Sequence, residues 1–317
     1  MTIFLDENPL HLDNGLVGLP WQIETGNPAT FFQAISEPDS IKPIRIWAQI
    51  FRPDDHSSSP TVIVVPGSLG VAESHIYKAK ILTDEGITVC LIDPFGSRGV
   101  ESTVSDQAQY SFAASAWDVL STVDQLRDQV GVDPDRIGVQ GHSRGGSAAL
   151  MAASMQKLPY FSQTIAGVYA AYPWCGMQFL DPQVGGTKIR SIIGDQDEWC
   201  LPQQVQGYMQ ALRLVGAEAT IRIVAGAHHS FDRFSPLEIS SNASVAPGAP
   251  TIYIKENGVC MHPVNGESSL ETDERSLMLY GIKAGYGKIG ARIGTEENFA
   301  HIFHEDMMAF WQFLKEG

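Results

Sequence analysis

The chain has 317 residues, 44% of them apolar and only 18% charged, enough to bury a full core. Its 21 basic against 36 acidic residues leave a net charge of −15. That balance argues against nucleic acid and anionic membrane as partners, because both require a basic face.

The opening MTIFLDENPLHLDNGL carries no basic n-region and no long apolar run, so no signal peptide is expected. No stretch reaches the roughly eighteen apolar residues of a membrane span. Cys90, Cys175, Cys200 and Cys260 are widely spaced and form no C-x-x-C pair, which points to free thiols in a cytoplasmic protein.

Residues 1 to about 40 read as an irregular extension with scattered Pro, Gly and Asn. Ile44–Phe51 alternates and is β-branched, a strand, and the cluster Pro53–Asp55 with Ser57–Pro60 is a turn. Thr61–Val65 is a short continuous β-branched run, the mark of a strand buried on both faces. Ala72–Asp84 reads as a helix stopped by Gly86, and Ile87–Ile92 as another buried strand. Ser105–Gln129 places Phe112, Ala116, Val119, Leu120, Val123 and Leu126 at helical spacing. Val132-Asp133-Pro134-Asp135 breaks that pattern before the strand Arg136–Gln140. A helix is expected over Ser143–Met155, strands over Ile165–Ala171 and Ile189–Ile193, a helix over Pro202–Leu214 and a strand over Ala219–Val224.

From about Arg233 to Glu297 the periodicity stops. This stretch mixes Ser, Gly, Asn and Pro with apolar pieces, too many for a disordered linker. Residues of about 235–295 are expected to be an insertion packed on the domain, a candidate cap over an active-site mouth. Residues 298–315, apolar at helical spacing, should form a closing helix. Strand and helix alternate otherwise, the pattern of one domain over 1–317 with a mostly parallel central sheet and helices on both faces.

Directly behind the strand at 136–140 stands Gly141-His142-Ser143-Arg144-Gly145-Gly146. A strand running into G-x-S-x-G and then into an Ala-rich helix is a nucleophile elbow, with the serine hydroxyl exposed on a strained turn. The helix beginning beneath it directs its N-terminal dipole toward developing negative charge. A serine hydroxyl needs a base within reach, and the base needs a group that fixes its tautomer. In this arrangement the chain order is serine, acid, histidine, each at the carboxyl end of a strand.

The acid lies in Gly194-Asp195-Gln196-Asp197, where Asp195 and Asp197 compete and Asp197 is favoured. The base lies in Gly226-Ala227-His228-His229-Ser230-Phe231, with His229 favoured over His228. His142, next to the nucleophile on a tight turn, reads as an orienting residue rather than a base. The oxyanion donors are expected to be the backbone N–H of Arg144 and that of Ser68 or Leu69, with Gly67 allowing the close turn. Tyr172 and Trp174, at the end of a strand, could line an acyl pocket or pack beneath it. Arg98 reads as the partner of a loop acid before it reads as a substrate ligand. His301, His304, Glu305 and Asp306 have metal-ligand spacing but fit a solvated helix end better, and neither metal nor cofactor is expected.

Six segments together, PGSLGV (66–71), DPFGSRG (93–99), DPDRIGVQGHSRGG (133–146), YPWC (172–175), GDQD (194–197) and GAHHSF (226–231), resemble the dienelactone hydrolase family of α/β-hydrolases. The resemblance spans about 45–235 and the terminal helix. It implies an α/β-hydrolase fold, a Ser143, Asp197 and His229 triad, and hydrolysis of a small-molecule carboxylic ester or lactone through an acyl-enzyme without a cofactor. The enzymes that name the family carry cysteine at the elbow; Ser143 here favours a general esterase. Pro66-Gly67 replaces the family's usual His-Gly, and the segment 235–295 exceeds a minimal member. Two other functions compete: a peptidase, which would usually carry a large N-terminal domain that 40 irregular residues cannot build, and a non-catalytic binding module, which would tend to lose triad members.

Overall fold

Buried β-branched strands set the architecture. The computed structural model describes residues 2–53, 58–161, 164–296 and 299–316. Along the chain the strands are β1 (Leu19–Gly26), β2 (Pro43–Phe51), β3 (Ser59–Val65), β4 (Thr88–Asp93), β5 (Val132–His142), β6 (Gly167–Ala171), β7 (Met177–Phe179), β8 (Lys188–Gly194), β9 (Ala219–Val224), β10 (Glu238–Val245), β11 (Ile252–Ile254), β12 (Cys260–Met261) and β13 (Lys288–Ile293). The helices are α1 (Phe31–Ser36), α2 (Glu73–Asp84), α3 (Phe112–Leu126), α4 (Arg144–Met155), α5 (Pro202–Leu214), α6 (Glu274–Lys283) and α7 (Phe299–Glu316).

The main sheet runs β1-β2-β4-β3-β5-β6-β8-β9. The six strands from β4 onward are parallel, while β1 and β2 are antiparallel at one edge. Every residue of β3 and β4 is buried, as expected of parallel strands covered on both faces. The order of connections reverses at β3: the chain first crosses to β4, then returns to β5 on the other side. A parallel α/β sheet opens its ligand crevice at such a reversal, beyond the carboxyl ends of the strands. The loops after β3 and β5 carry Gly67 and Ser143. On the opposite surface α7 closes the core through Trp311, which is fully buried where Gly138 leaves room for its ring.

The expected strands and helices from residue 43 to 224 are present with small shifts. The helix expected from Ser105 is shorter: α3 starts at Phe112 because the Ser111 side chain caps it, accepting from the N–H of Ala114. β5 begins early, at Val132, but the register shifts between Ser59 and Thr61, so Asp133–Arg136 bulge out where the breaker was expected. One expectation is corrected. Residues 1–40 contain β1, an edge strand whose Ile23 and Thr25 are buried, and the helix α1. The segment 235–295 is structured: β10 pairs with β13, β11 adds in parallel to β7 with β12 beyond it, and α6 lies between. Of the expected closing helix, 299–315 lies in α7 and residue 298 is outside the described residues. No helix among the described residues is long and apolar enough to cross a membrane.

Candidate active site

Ser143 joins β5 to α4 with φ 54° and ψ −117°, a backbone region that costs a non-glycine residue energy and lifts its side chain off the sheet edge. The glycines around it are steric necessities. A Cβ at Gly141 would lie 2.0 Å from the Gly145 carbonyl oxygen, and one at Gly145 would lie 2.4 Å from that of Val65. Gly67 brings the loop after β3 against the elbow, where a Cβ would meet the Ser143 Cβ at 3.2 Å. Ser68 and Leu69 therefore follow at the rim of the same site. Arg144 is the first residue of α4, so its N–H has no acceptor within the helix.

His229 Nε2 stands 2.9 Å from Ser143 Oγ, and His229 Nδ1 stands 2.8 Å from Asp197 Oδ2. The other Asp197 oxygen, Oδ1, accepts from the backbone N–H groups of Trp199 and Cys200 at 2.8 and 2.9 Å, which fixes the carboxylate plane. Asp195 is exposed and accepts instead from the Gly226 N–H at 2.7 Å, tying down the base of the histidine loop. His229 is the histidine that reaches the serine. Its carbonyl accepts from the Gly294 N–H at 2.9 Å, just beyond β13.

Two features of this neighbourhood have no signal in the sequence pattern. The Trp199 ring stacks on the His229 imidazole, 5.1 Å between centroids and 14° between planes, and its Nε1 donates to the Arg292 carbonyl in β13. Gln107, in the loop before α3, joins Arg144 to Ser68, one of the two alternatives for the second oxyanion donor. Its Nε2 donates to Ser68 Oγ, and its Oε1 and backbone oxygen each accept from the Arg144 guanidinium at 3.0 Å.

Behind the site runs a buried chain of hydrogen bonds. Trp311 Nε1 donates to Gln140 Oε1, Gln140 Nε2 faces His142 Nε2, His142 Nδ1 faces Tyr172 Oη, and Tyr172 Oη donates to Asp232. Only one proton pattern satisfies this chain: His142 carries its hydrogen on Nδ1 and accepts at Nε2. Burial, then the Lys78 charge, holds the His142 pKa far below its usual value, so the ring stays neutral. His142 orients the elbow and is already engaged at both nitrogens. Tyr172 is buried, with its ring 4.8 Å from that of His229, and so packs behind the imidazole; Trp174 lines the large cavity beside Ser143.

Arg98 pairs with both Asp118 oxygens at 2.9 and 3.0 Å, an acid on α3 rather than in a loop, and is buried away from the cavity. His301 pairs with Glu305 at 2.9 Å on the exposed side of α7, while Asp306 turns inward to Arg190, Arg222 and Tyr169, so these groups do not converge. Asp197, Cys200 and His229 bring a carboxylate, a thiol and an imidazole within 4.8 Å of one another. The first and last are already hydrogen-bonded to each other, and burial pushes the Cys200 thiol well above its ordinary value.

Residues 46–249 match the dienelactone hydrolase family. A candidate dienelactone hydrolase from Klebsiella pneumoniae subsp. pneumoniae MGH 78578 has a similar structure, with TM-score 0.50 and 19% identity over 67% of this chain and 88% of that one. Esterase Est22 gives TM-score 0.51 and 18% identity over 68% and 74% of the two chains. Thermogutta terrifontis esterase 2 gives 0.50 and 15% over 61% and 82%. At these identities the likeness is one of fold. No functionally curated protein matches the sequence significantly.

Proposed function

The chain belongs to the dienelactone hydrolase family, and from that premise we propose that it hydrolyses small-molecule carboxylic esters or lactones with Ser143, His229 and Asp197 as a catalytic triad. The observation that carries the reading is the continuous path from Asp197 Oδ2 through the two nitrogens of His229 to Ser143 Oγ, with contacts of 2.8 and 2.9 Å. Both lie within the range in which a proton can pass.

Ser143 Oγ attacks the ester carbonyl while His229 Nε2 takes its proton. Asp197 holds the Nδ1–H tautomer and stabilises the imidazolium that forms. The N–H groups of Arg144 and of Ser68 or Leu69 receive the oxyanion, aided by the N-terminus of α4. The tetrahedral intermediate collapses, and His229 returns the proton to the departing alcohol. A water molecule, deprotonated by His229, then attacks the acyl-enzyme, and collapse releases the acid and restores the serine. The four cysteines are free and buried, which suits a reducing compartment, so we place the protein in the cytoplasm.

Ser143→Ala is expected to lower kcat on p-nitrophenyl butyrate by about 10⁴–10⁶-fold with the fold intact by circular dichroism. A fluorophosphonate probe is expected to label the wild-type protein at Ser143. Turnover close to wild type in the variant would overturn the proposal.

A further inference from the structure

A cavity of about 480 Å³ opens beside Ser143. The core supplies one wall through Phe112, Trp174 and Trp199. The segment between β9 and α7 supplies the other, through Val245 at the end of β10 and through Leu277 and Met278 of α6. We infer that this cavity seats the acyl arm of the ester, that the arm is a medium-length apolar chain, and that α6 limits its length. The inference rests on the serine-esterase reading above and extends it to the substrate.

Chemistry decides which arm enters. The departing oxygen must take a proton from His229 Nε2, so the alcohol lies on the His229 side of Ser143. Among the described residues, His229 lines an adjoining crevice of about 20 Å³ with Gly67, His142 and Tyr172, which meets the large cavity at Ser68, Ser143 and Trp199; His229 does not line the large cavity. The acyl arm is left with the large one.

Size and lining decide the kind of arm. At roughly 30 Å³ per heavy atom, a volume of this size holds on the order of sixteen atoms if filled, and an acyl chain of about eight to twelve carbons with imperfect packing. The ring and aliphatic walls favour an alkyl chain, and each buried methylene is worth up to about fourfold in kcat/KM. A two-carbon acetyl group would leave most of these walls untouched.

One residue makes the idea testable without disturbing the catalytic groups. Gly281 is buried on α6 and lines the cavity, yet a Cβ built there meets nothing within 4 Å. A side chain at 281 therefore enters the open volume rather than the core. Leaving glycine also favours the helix.

The experiment is a kcat/KM profile on p-nitrophenyl esters from acetate to palmitate for wild type, Gly281→Phe and Met278→Ala. Wild type is expected to rise by at least tenfold from acetate to octanoate or decanoate and then fall. Gly281→Phe is expected to lose at least tenfold more on octanoate than on acetate, and Met278→Ala to move the optimum to longer chains. A wild-type profile that is flat or highest at acetate overturns the inference, as does a Gly281→Phe profile scaled equally at all lengths. Should Gly281→Phe fail to fold, the direction of the Met278→Ala shift decides. Ser143→Ala separates the two levels: turnover surviving that change defeats the esterase reading, whereas a dead Ser143→Ala beside a flat profile defeats only the cavity assignment.

Discussion

Lys78 and Asp232 form an ion pair whose side chains are 0% and 1% exposed, and it joins the helix after the Gly67 loop to the loop that carries His229. Burial drives the Asp232 carboxyl up, but Lys78 above all, then Arg233, pull harder and hold it well below the carboxylate range. Removing one member leaves a charge stranded in the core, which costs about 3–5 kcal/mol, while replacing both by apolar groups of similar size costs far less. Asp232→Asn is therefore expected to lower the urea-unfolding free energy by that amount, and Asp232→Asn with Lys78→Met, which keeps an acceptor for Tyr172 Oη and leaves no charge, to recover most of it. A single-variant cost below about 1 kcal/mol would show that water reaches the pair.

The acidic turn after β8 offers two carboxylates with separate tasks. Asp197→Asn keeps the shape but leaves His229 free to take the wrong tautomer, and is expected to cut kcat about 10⁴-fold. Asp195→Asn keeps an amide oxygen to accept from the Gly226 N–H and loses only the charge at an exposed contact, and is expected to stay within about tenfold of wild type. Steady-state kinetics of the two variants side by side check this. Equal losses would mean that the histidine loop, not the tautomer, limits turnover.

Glu274, on α6, is buried with one oxygen accepting from the Phe112 N–H at 2.8 Å. Burial pushes its carboxyl up from 4.5 to about 7, against the pull of Arg144 and of the N–H groups at the start of α3. Between those pH values the folded protein holds a proton that the unfolded chain has released. The stabilisation is thus complete below pH 4.5 and disappears as pH rises through about 7, a swing of about 3 kcal/mol. Glu274→Gln keeps an acceptor for Phe112 and has no charge to bury. Its urea midpoint is expected to match wild type at pH 4.5 and to exceed it at pH 8; the same difference at both pH values would refute the assignment.

The elbow, the acidic turn and the histidine loop were legible because each is a local pattern: a buried β-branched run, then small residues, then the polar group. The alternation expected of a parallel sheet is local too. Trp199 and Gln107 were not legible, because what matters is the face each presents across space, and neither falls in a periodic run. β1 was missed because an edge strand shows only half of its alternation and Pro20 interrupts it. β10 and β13 pair only with each other, their register shifts between Ser240 and Ser244, and Ile239 and Ile289 face outward, so no clean period survives.

The backbone clasp from Gly294 to His229, with the Trp199 anchor on Arg292, bears on how this scaffold could be pared down. Excising residues 236–295 to make a leaner protein would free the imidazole's loop as well as remove one wall of the cavity. A trimmed version should falter even on methyl acetate, a molecule too short to reach α6.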